Sequence, residues 1–114
     1  MRRANVYLFG EEAGILTESD EGYVFEYSGS YLKNPDAVPV SLSLPLRGAP
    51  YRDKVLFPFF DGLIPEGWLL EIAVDNWKLD PRDRMGLLLS CCRETIGAAS
   101  IVEIPEESEG SGAP

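Results

Sequence analysis

The stretch from Pro39 to Trp68 constrains this 114-residue chain more than any other part of it. It is an apolar block, in which leucines alternate with serine or proline before a cluster of phenylalanines, and no catalytic pattern is visible in it. Because proline cannot donate to a sheet ladder, Pro39 and Pro45 limit residues 39–46 to an edge strand or an irregular extended segment. The residues that define the block are Ser41, Leu42, Ser43, Leu44, Pro45, Phe59, Phe60 and Asp61.

The sequence before this block predicts an antiparallel meander. β-Branched and aromatic residues in short alternation predict strands at 5–9, 14–17 and 23–27, with turns at 10–12 and 19–22. In the third strand, Tyr23, Phe25 and Tyr27 share one face. A single helical turn is expected at 30–34.

The second half of the block leads into predicted helices. After a loop at 47–52, a short helix is expected at 55–60, with Pro58 in its first turn. Residues 66–79 give the clearest helical pattern, because a core stripe that includes Trp77 lies opposite a polar stripe.

A third helix and a closing strand complete the predicted elements. Asp80 is expected to cap a helix that runs towards Cys92. The charged residues at its beginning are interpreted as a solvated, salt-bridged helix start; they are Arg82, Asp83 and Arg84. A last strand is expected at 98–104.

Strands followed by helices and a closing strand predict an α+β fold. We expect a small antiparallel sheet, formed by the N-terminal meander and the C-terminal strand, packed against about three short helices. Residues 1–104 are predicted to form one domain, and residues 105–114, acidic and rich in Gly and Ser, a disordered tail.

Composition restricts the classes of partner. A net charge of −9 repels phosphate backbones, so direct nucleic-acid binding is not expected, whereas a basic protein partner would suit it. No apolar run is long enough for a membrane span or a signal peptide, and the chain is interpreted as cytoplasmic. Cys91 and Cys92 are interpreted as reduced core thiols.

The chain lacks the usual sets of catalytic residues. It contains no histidine and no Gly-rich phosphate loop, and no cofactor or metal site is predicted. Asp61 and Glu66 could in principle form an acid–base pair, but turn and helix-capping roles explain both carboxylates. We therefore predict that the chain is not an enzyme.

Trp68 is the residue that a purely structural role explains least well. On the helix predicted at 66–79 it falls with Glu71 and Asp75 at the edge of the polar face, and Ile72 lies near it. Trp is enriched at interface hot spots. The alternative is that Trp68 packs under a loop of its own domain.

Five pieces of the chain, in order, resemble the N-terminal domain of HipA-type kinases over residues 6–104. The most specific are residues 41–46 (SLSLPL) and 59–67 (FFDGLIPEG). The opening hairpin, the third strand with its turn, and the segment 93–98 with Gly97 are also similar. The family usually has Gly where this chain has Cys92, which leaves the end of that helix open.

This resemblance implies a non-catalytic binding role. The chain ends where the kinase would begin, as in the small HipS-type antitoxins of the split, bacterial HipBST toxin–antitoxin arrangement. The implied partners are a HipT-like serine/threonine kinase and a HipB-like helix-turn-helix repressor, with DNA reached only through the repressor. The residues expected to contact the kinase are Pro65, Glu66, Gly67, Trp68, Glu71, Ile72 and Asp75.

Three other functions remain open at this level. The chain could be an adaptor that bridges the kinase to the repressor without blocking activity. It could be a small enzyme that uses a carboxylate pair, or a remnant of a kinase without a partner.

Overall fold

A five-stranded antiparallel sheet organises the part of the chain that the structure, a computed structural model, describes: residues 2–64, 80, 82–91 and 99–105. The sheet order is β4-β3-β2-β1-β5. The last strand lies beside the first, and the predicted α+β fold is confirmed. The elements are β1 (Arg2–Leu8), β2 (Glu11–Ser19), β3 (Gly22–Tyr27), α1 (Gly29–Lys33), β4 (Tyr51–Asp53), α2 (Pro58–Asp61), α3 (Arg84–Cys91) and β5 (Ala99–Ile104).

Some predicted features fall outside the described residues. These are the helix at 66–79 with Trp77, the side chains of Cys91 and Cys92, Gly97, and the tail beyond Pro105.

The first hairpin is longer than predicted and turns at a different place. Phe9, predicted to end a strand, instead occupies the turn with Gly10, and β2 begins at Glu11. Both turn residues have positive φ, 52° and 81°, the combination that a type I′ turn needs to match the twist of its strands. Phe9 is 78% exposed at the tip.

One face of the sheet carries the core. Alternate residues of the strands are buried, including Phe25 and Tyr27, while Tyr23 on the same face is partly buried. This confirms the predicted face of β3. The helices cover it with apolar side chains from α2 and α3. The largest fully buried residues are Phe25, Phe60, Leu16, Met85, Leu87, Leu88, Ile101 and Val6.

The loop predicted at 47–52 was wrong at its end, because Tyr51 begins the edge strand β4. Tyr51 pairs with Phe25 and Asp53 pairs with Tyr23. Three residues are too few to give a pattern of their own, so only pairing with β3 defines this strand. At Gly22, where φ is +134°, a Cβ would collide with the Asp53 carbonyl oxygen.

Helix α3 begins three residues later than a cap at Asp80 would place it. Its cap is the Asp83 carboxylate, whose Oδ1 accepts the Gly86 amide at 3.1 Å. Asp80 closes the turn before it, since its own carboxylate accepts the Arg82 amide at 2.9 Å. Asp83 is favoured as the cap because a distant cation also holds it in place.

That cation is Arg2, which joins β1, β2 and the start of α3. Its guanidinium donates to both Glu18 carboxylate oxygens at 2.6 and 2.9 Å and to both Asp83 oxygens at 2.8 and 2.9 Å. The hydrogen bond from Arg2 lowers the pKa of Asp83, and the Gly86 amide lowers it further. The predicted salt-bridged helix start is observed, and the partner of Asp83 in its ion pair lies 81 residues away in the sequence.

We expect Asp83→Asn to lower the free energy of unfolding by about 1 kcal/mol at pH 7, since Asn still accepts the Gly86 amide but loses the charge. The pKa of Asp83 is lower in the folded protein, so this stabilisation is present above about pH 4 and is lost as the pH falls through the folded value. Urea unfolding at pH 7 and pH 3 measures it. A difference between variant and wild type that is unchanged at pH 3 would contradict the ion pair as its cause.

Candidate partner-binding surface

The residues predicted to contact a kinase lie outside the described part of the chain. They are Pro65, Glu66, Gly67, Trp68, Glu71, Ile72 and Asp75. Their placement therefore stays a prediction. The structure does describe the residues on either side, which are Ile64 at the end of one described range and Asp80 at the start of the next.

The chain is firmly anchored just before the predicted contact residues. The Leu63 amide donates to the Phe60 carbonyl at 3.0 Å, and the Ile64 amide to the Asp61 carbonyl at 3.2 Å. Ile64 is buried. These bonds follow directly on α2, so the position of the chain at residue 64 is set by the core.

Asp61 ties the two flanks of this region together. Its carboxylate accepts a hydrogen bond from the Arg84 guanidinium at 2.6 Å, which places α2 against the start of α3. The ion pair gives the side chain of Asp61 a structural role. Glu66, its candidate partner in acid–base chemistry, lies outside the described residues.

The apolar block folds differently from the extended segment predicted at 39–46. The Leu44 amide donates to the Ser41 carbonyl at 3.0 Å and closes a tight turn. The Ser43 amide donates to the Ser41 hydroxyl at 3.2 Å, and the two serine hydroxyls lie 3.0 Å apart. Ser41 therefore stabilises the turn twice, with its backbone and with its side chain. We call residues 41–44 the 41–44 turn.

The turn places neighbouring leucines in opposite environments. Leu44 is buried in the core, whereas Leu42 is 96% exposed. An extended strand would have put both side chains on one face. The prediction of an extended segment is therefore wrong here, and the reversal comes from the turn.

Tyrosine hydroxyls from the sheet and α1 hold the backbone on both sides of the turn. The Tyr27 hydroxyl accepts the Val40 amide at 3.0 Å and donates to the Leu44 carbonyl. The Tyr31 hydroxyl donates to the Val38 carbonyl at 2.7 Å. Each of these bonds satisfies a backbone group that has no ladder partner, so the segment is fixed although it is not a strand.

A third tyrosine holds the far side of the segment. The Tyr51 hydroxyl donates to the Pro45 carbonyl at 2.6 Å. The Arg47 guanidinium lies 3.7 Å from the centre of the Tyr51 ring and donates to the carbonyls of Ala49 and Pro50 at 3.1 and 2.9 Å. These contacts link the 41–44 turn to β4.

Exposed apolar residues are concentrated in this part of the described chain. Four of the five large exposed hydrophobic residues that the structure describes lie between residues 38 and 55, and the fifth is Phe9. Their exposure was not predicted, because an alternating pattern treats all the leucines alike. The four are Val38, Leu42, Leu46 and Val55.

The described side chains present no metal centre. Within residues 2–64, 80, 82–91 and 99–105, no three Cys, Asp or Glu side chains are grouped so that they could hold an ion. In the same ranges, every buried polar side-chain atom has a hydrogen-bond partner. Among these residues, no helix combines the length and apolar character needed to cross a membrane.

Comparison with known proteins identifies the type of domain. A family model described as the HipA N-terminal domain matches residues 4–102. A solved structure, the N-terminal domain of HipA toxin, is similar with a TM-score of 0.66 and 30% identity, covering 93% of this chain and 95% of that one. The resemblance predicted over residues 6–104 is confirmed.

Relatives of two sizes contain a similar sequence. A Haemophilus influenzae protein without an assigned function is 35% identical over 103 residues, which are 90% of this chain and 93% of that protein. Two proposed kinases of Sinorhizobium fredii are each 30% identical over 96% of this chain, but the match covers only 26% and 28% of their lengths. The chain thus spans about a quarter of these larger relatives.

Proposed function

Because the chain belongs to the HipA N-terminal domain family, we propose that it is a non-catalytic antitoxin subunit that binds and neutralises a HipT-like serine/threonine kinase. We place it in the cytoplasm, in a tripartite type II toxin–antitoxin system with a HipB-like repressor. This goes beyond family membership, which associates the chain with toxin–antitoxin kinase systems.

The observation that carries the proposal is that a similar domain occurs in relatives of two different lengths. In the Sinorhizobium relatives the matching region is about a quarter of a proposed kinase. In the Haemophilus relative it is nearly the whole protein. A domain that can accompany a kinase within one chain is suited to bind a kinase as a separate subunit.

We propose that residues 65–75 supply the inhibitory contact. Trp68 would be an aromatic anchor that enters or covers the nucleotide or substrate cleft of the kinase. Glu66, Glu71 and Asp75 would face the basic groups that a kinase uses to bind phosphates. The anchoring of Ile64 and the Asp61–Arg84 ion pair support this, since both hold the flanks of the segment.

Co-expression with a HipT-like kinase from the same genome tests the proposal. Growth rescue together with a stable purified complex is the expected result. A kinase assay with and without the chain, in the absence of repressor, separates inhibition from bridging. Co-purification without loss of kinase activity would favour the adaptor function, and the absence of both rescue and complex would overturn the proposal.

Trp68→Ala is expected to weaken kinase binding by about 2 kcal/mol, roughly 30-fold in Kd, because truncating an aromatic hot spot typically costs at least this much. Titration calorimetry and the kinase assay measure the effect. Phe9→Ala is a suitable control, since it also removes an aromatic ring and Phe9 is 78% exposed in the first hairpin. Neutralisation by Trp68→Ala at the wild-type level would show that the anchor is misplaced.

A further inference from the structure

We propose that the 41–44 turn is a second docking element, which inserts the Leu42 side chain into an apolar pocket on the kinase. The inference rests on the proposed function, because it names another contact with the same partner. It assigns a role to a part of the apolar block that the inhibitory segment at 65–75 does not include.

The exposure of Leu42 is the first reason. Leu42 is 96% exposed, the highest value among the five large hydrophobic residues that are exposed in the described part of the chain. Val38 and Leu46 are exposed on either side of the turn. The Leu42 side chain displayed in this way has no role in the core and is available to a partner.

The rigidity of the turn is the second reason. The turn is closed by the Ser41 carbonyl and hydroxyl, and its flanks are held by the hydroxyls of Tyr27 and Tyr31. Leu42 is therefore presented on a backbone that is already ordered. A preorganised element gives up less conformational entropy on binding than a free loop does.

The choice of a kinase as the occupant comes from the larger relatives. In the Sinorhizobium proteins, the similar region covers 26% and 28% of the length, so about three quarters of each protein lies outside it. In proteins of that kind the remaining chain is available to cover an apolar surface of this domain. A separate kinase subunit would meet the same surface without the covalent link.

Val55 offers a matched control within the same domain. It is 64% exposed and follows β4, whose Asp53 pairs with Tyr23. The 41–44 turn is instead held by Tyr27, at the other end of β3 and about 13 Å further along the strand at roughly 3.3 Å per residue. Leu42→Ser and Val55→Ser each remove an exposed branched apolar side chain, but at two separate places on the domain.

The experiment compares wild type, Leu42→Ser, Leu42→Met and Val55→Ser for binding to the full-length HipT-like kinase. We expect Leu42→Ser to raise Kd at least 10-fold and to keep the melting temperature of wild type. Leu42→Met and Val55→Ser should stay within 2-fold of the wild-type Kd. Leu42→Gln is made alongside, so that a similar polar replacement is measured if the serine variant does not fold.

The outcomes separate the two proposals. If wild type binds the kinase and both polar variants at Leu42 bind equally well, the docking element is overturned and the antitoxin function stands. If wild type does not bind, both proposals fail. A wild-type dimer that Leu42→Ser dissociates would assign the turn to a second copy of this chain and would also overturn the inference.

Discussion

Replacing Phe60 by Ala is expected to lower the free energy of unfolding by about 3–5 kcal/mol, the range found when a buried aromatic side chain is truncated. The Phe60 side chain is fully buried. Its ring centre lies 5.4 Å from that of Phe25 in the sheet, and 6.2 and 5.1 Å from those of Phe57 and Phe59. Truncation would therefore leave a cavity where α2 meets the sheet.

Urea unfolding followed by tryptophan fluorescence and circular dichroism measures this loss. Phe59→Ala is the matched control, because Phe59 is the neighbouring residue of α2 but is only partly buried. We expect it to cost less than half as much. Equal losses at the two positions, or a loss below about 1 kcal/mol at Phe60, would contradict the central position of Phe60 in the core.

The position of this residue in the fold was largely predictable. Three phenylalanines within four residues must bury much of their surface, and within a helix Pro58 fits only the first turn. A short helix is observed, but at Pro58–Asp61, so the prediction of helix at 55–60 was wrong for residues 55–57. The helix begins at Pro58 itself, and Phe60 packs against Phe25 of the sheet.

The environment of Leu42 could not be predicted in the same way. Alternation over residues 42–46 indicates an extended chain, and the pattern does not distinguish Leu42 from Leu44. The hydroxyls that hold this segment belong to Tyr27 and Tyr31, which lie well before it in the sequence. Local periodicity carries no information about such bonds.

The same limit applies to the charged residues near α3. Arg84 is near Asp83 in the sequence, which favours a local interpretation. In the structure, Asp83 pairs with Arg2 and Arg84 pairs with Asp61. Both pairs join separate elements, so they could be identified only after the fold was known.

For the candidate site, the sequence predicted the family and a set of residues that contact the kinase. The resemblance is confirmed by the match over residues 4–102. The contact residues around Trp68 stay a prediction, because they fall between the described ranges that end at residue 64 and resume at residue 80. What the structure adds is the anchoring of Ile64 and the exposed Leu42.

Tyr27→Phe is expected to lower the free energy of unfolding by about 2–4 kcal/mol, because it removes one hydroxyl and leaves two backbone groups unsatisfied. That hydroxyl accepts the Val40 amide at 3.0 Å and donates to the Leu44 carbonyl. Val40 and Leu44 are both buried, so water cannot readily replace the lost bonds. At Tyr31, the hydroxyl serves the exposed residue Val38, and Tyr31→Phe should cost only about 1 kcal/mol.

The dependence of this effect on pH provides an independent check. Burial raises the pKa of Tyr27, so the folded protein retains the phenolic proton at a pH where the unfolded chain loses it. The resulting stabilisation is complete below about pH 10 and is lost as the pH rises through the folded value. Between pH 8 and pH 11, the free energy of unfolding should therefore fall less for Tyr27→Phe than for wild type, as measured by urea unfolding. Burial also raises the pKa of Tyr23, so Tyr23 contributes to the fall that remains in the variant. Identical alkaline losses would contradict the burial of the Tyr27 hydroxyl, which is the cause of its raised pKa.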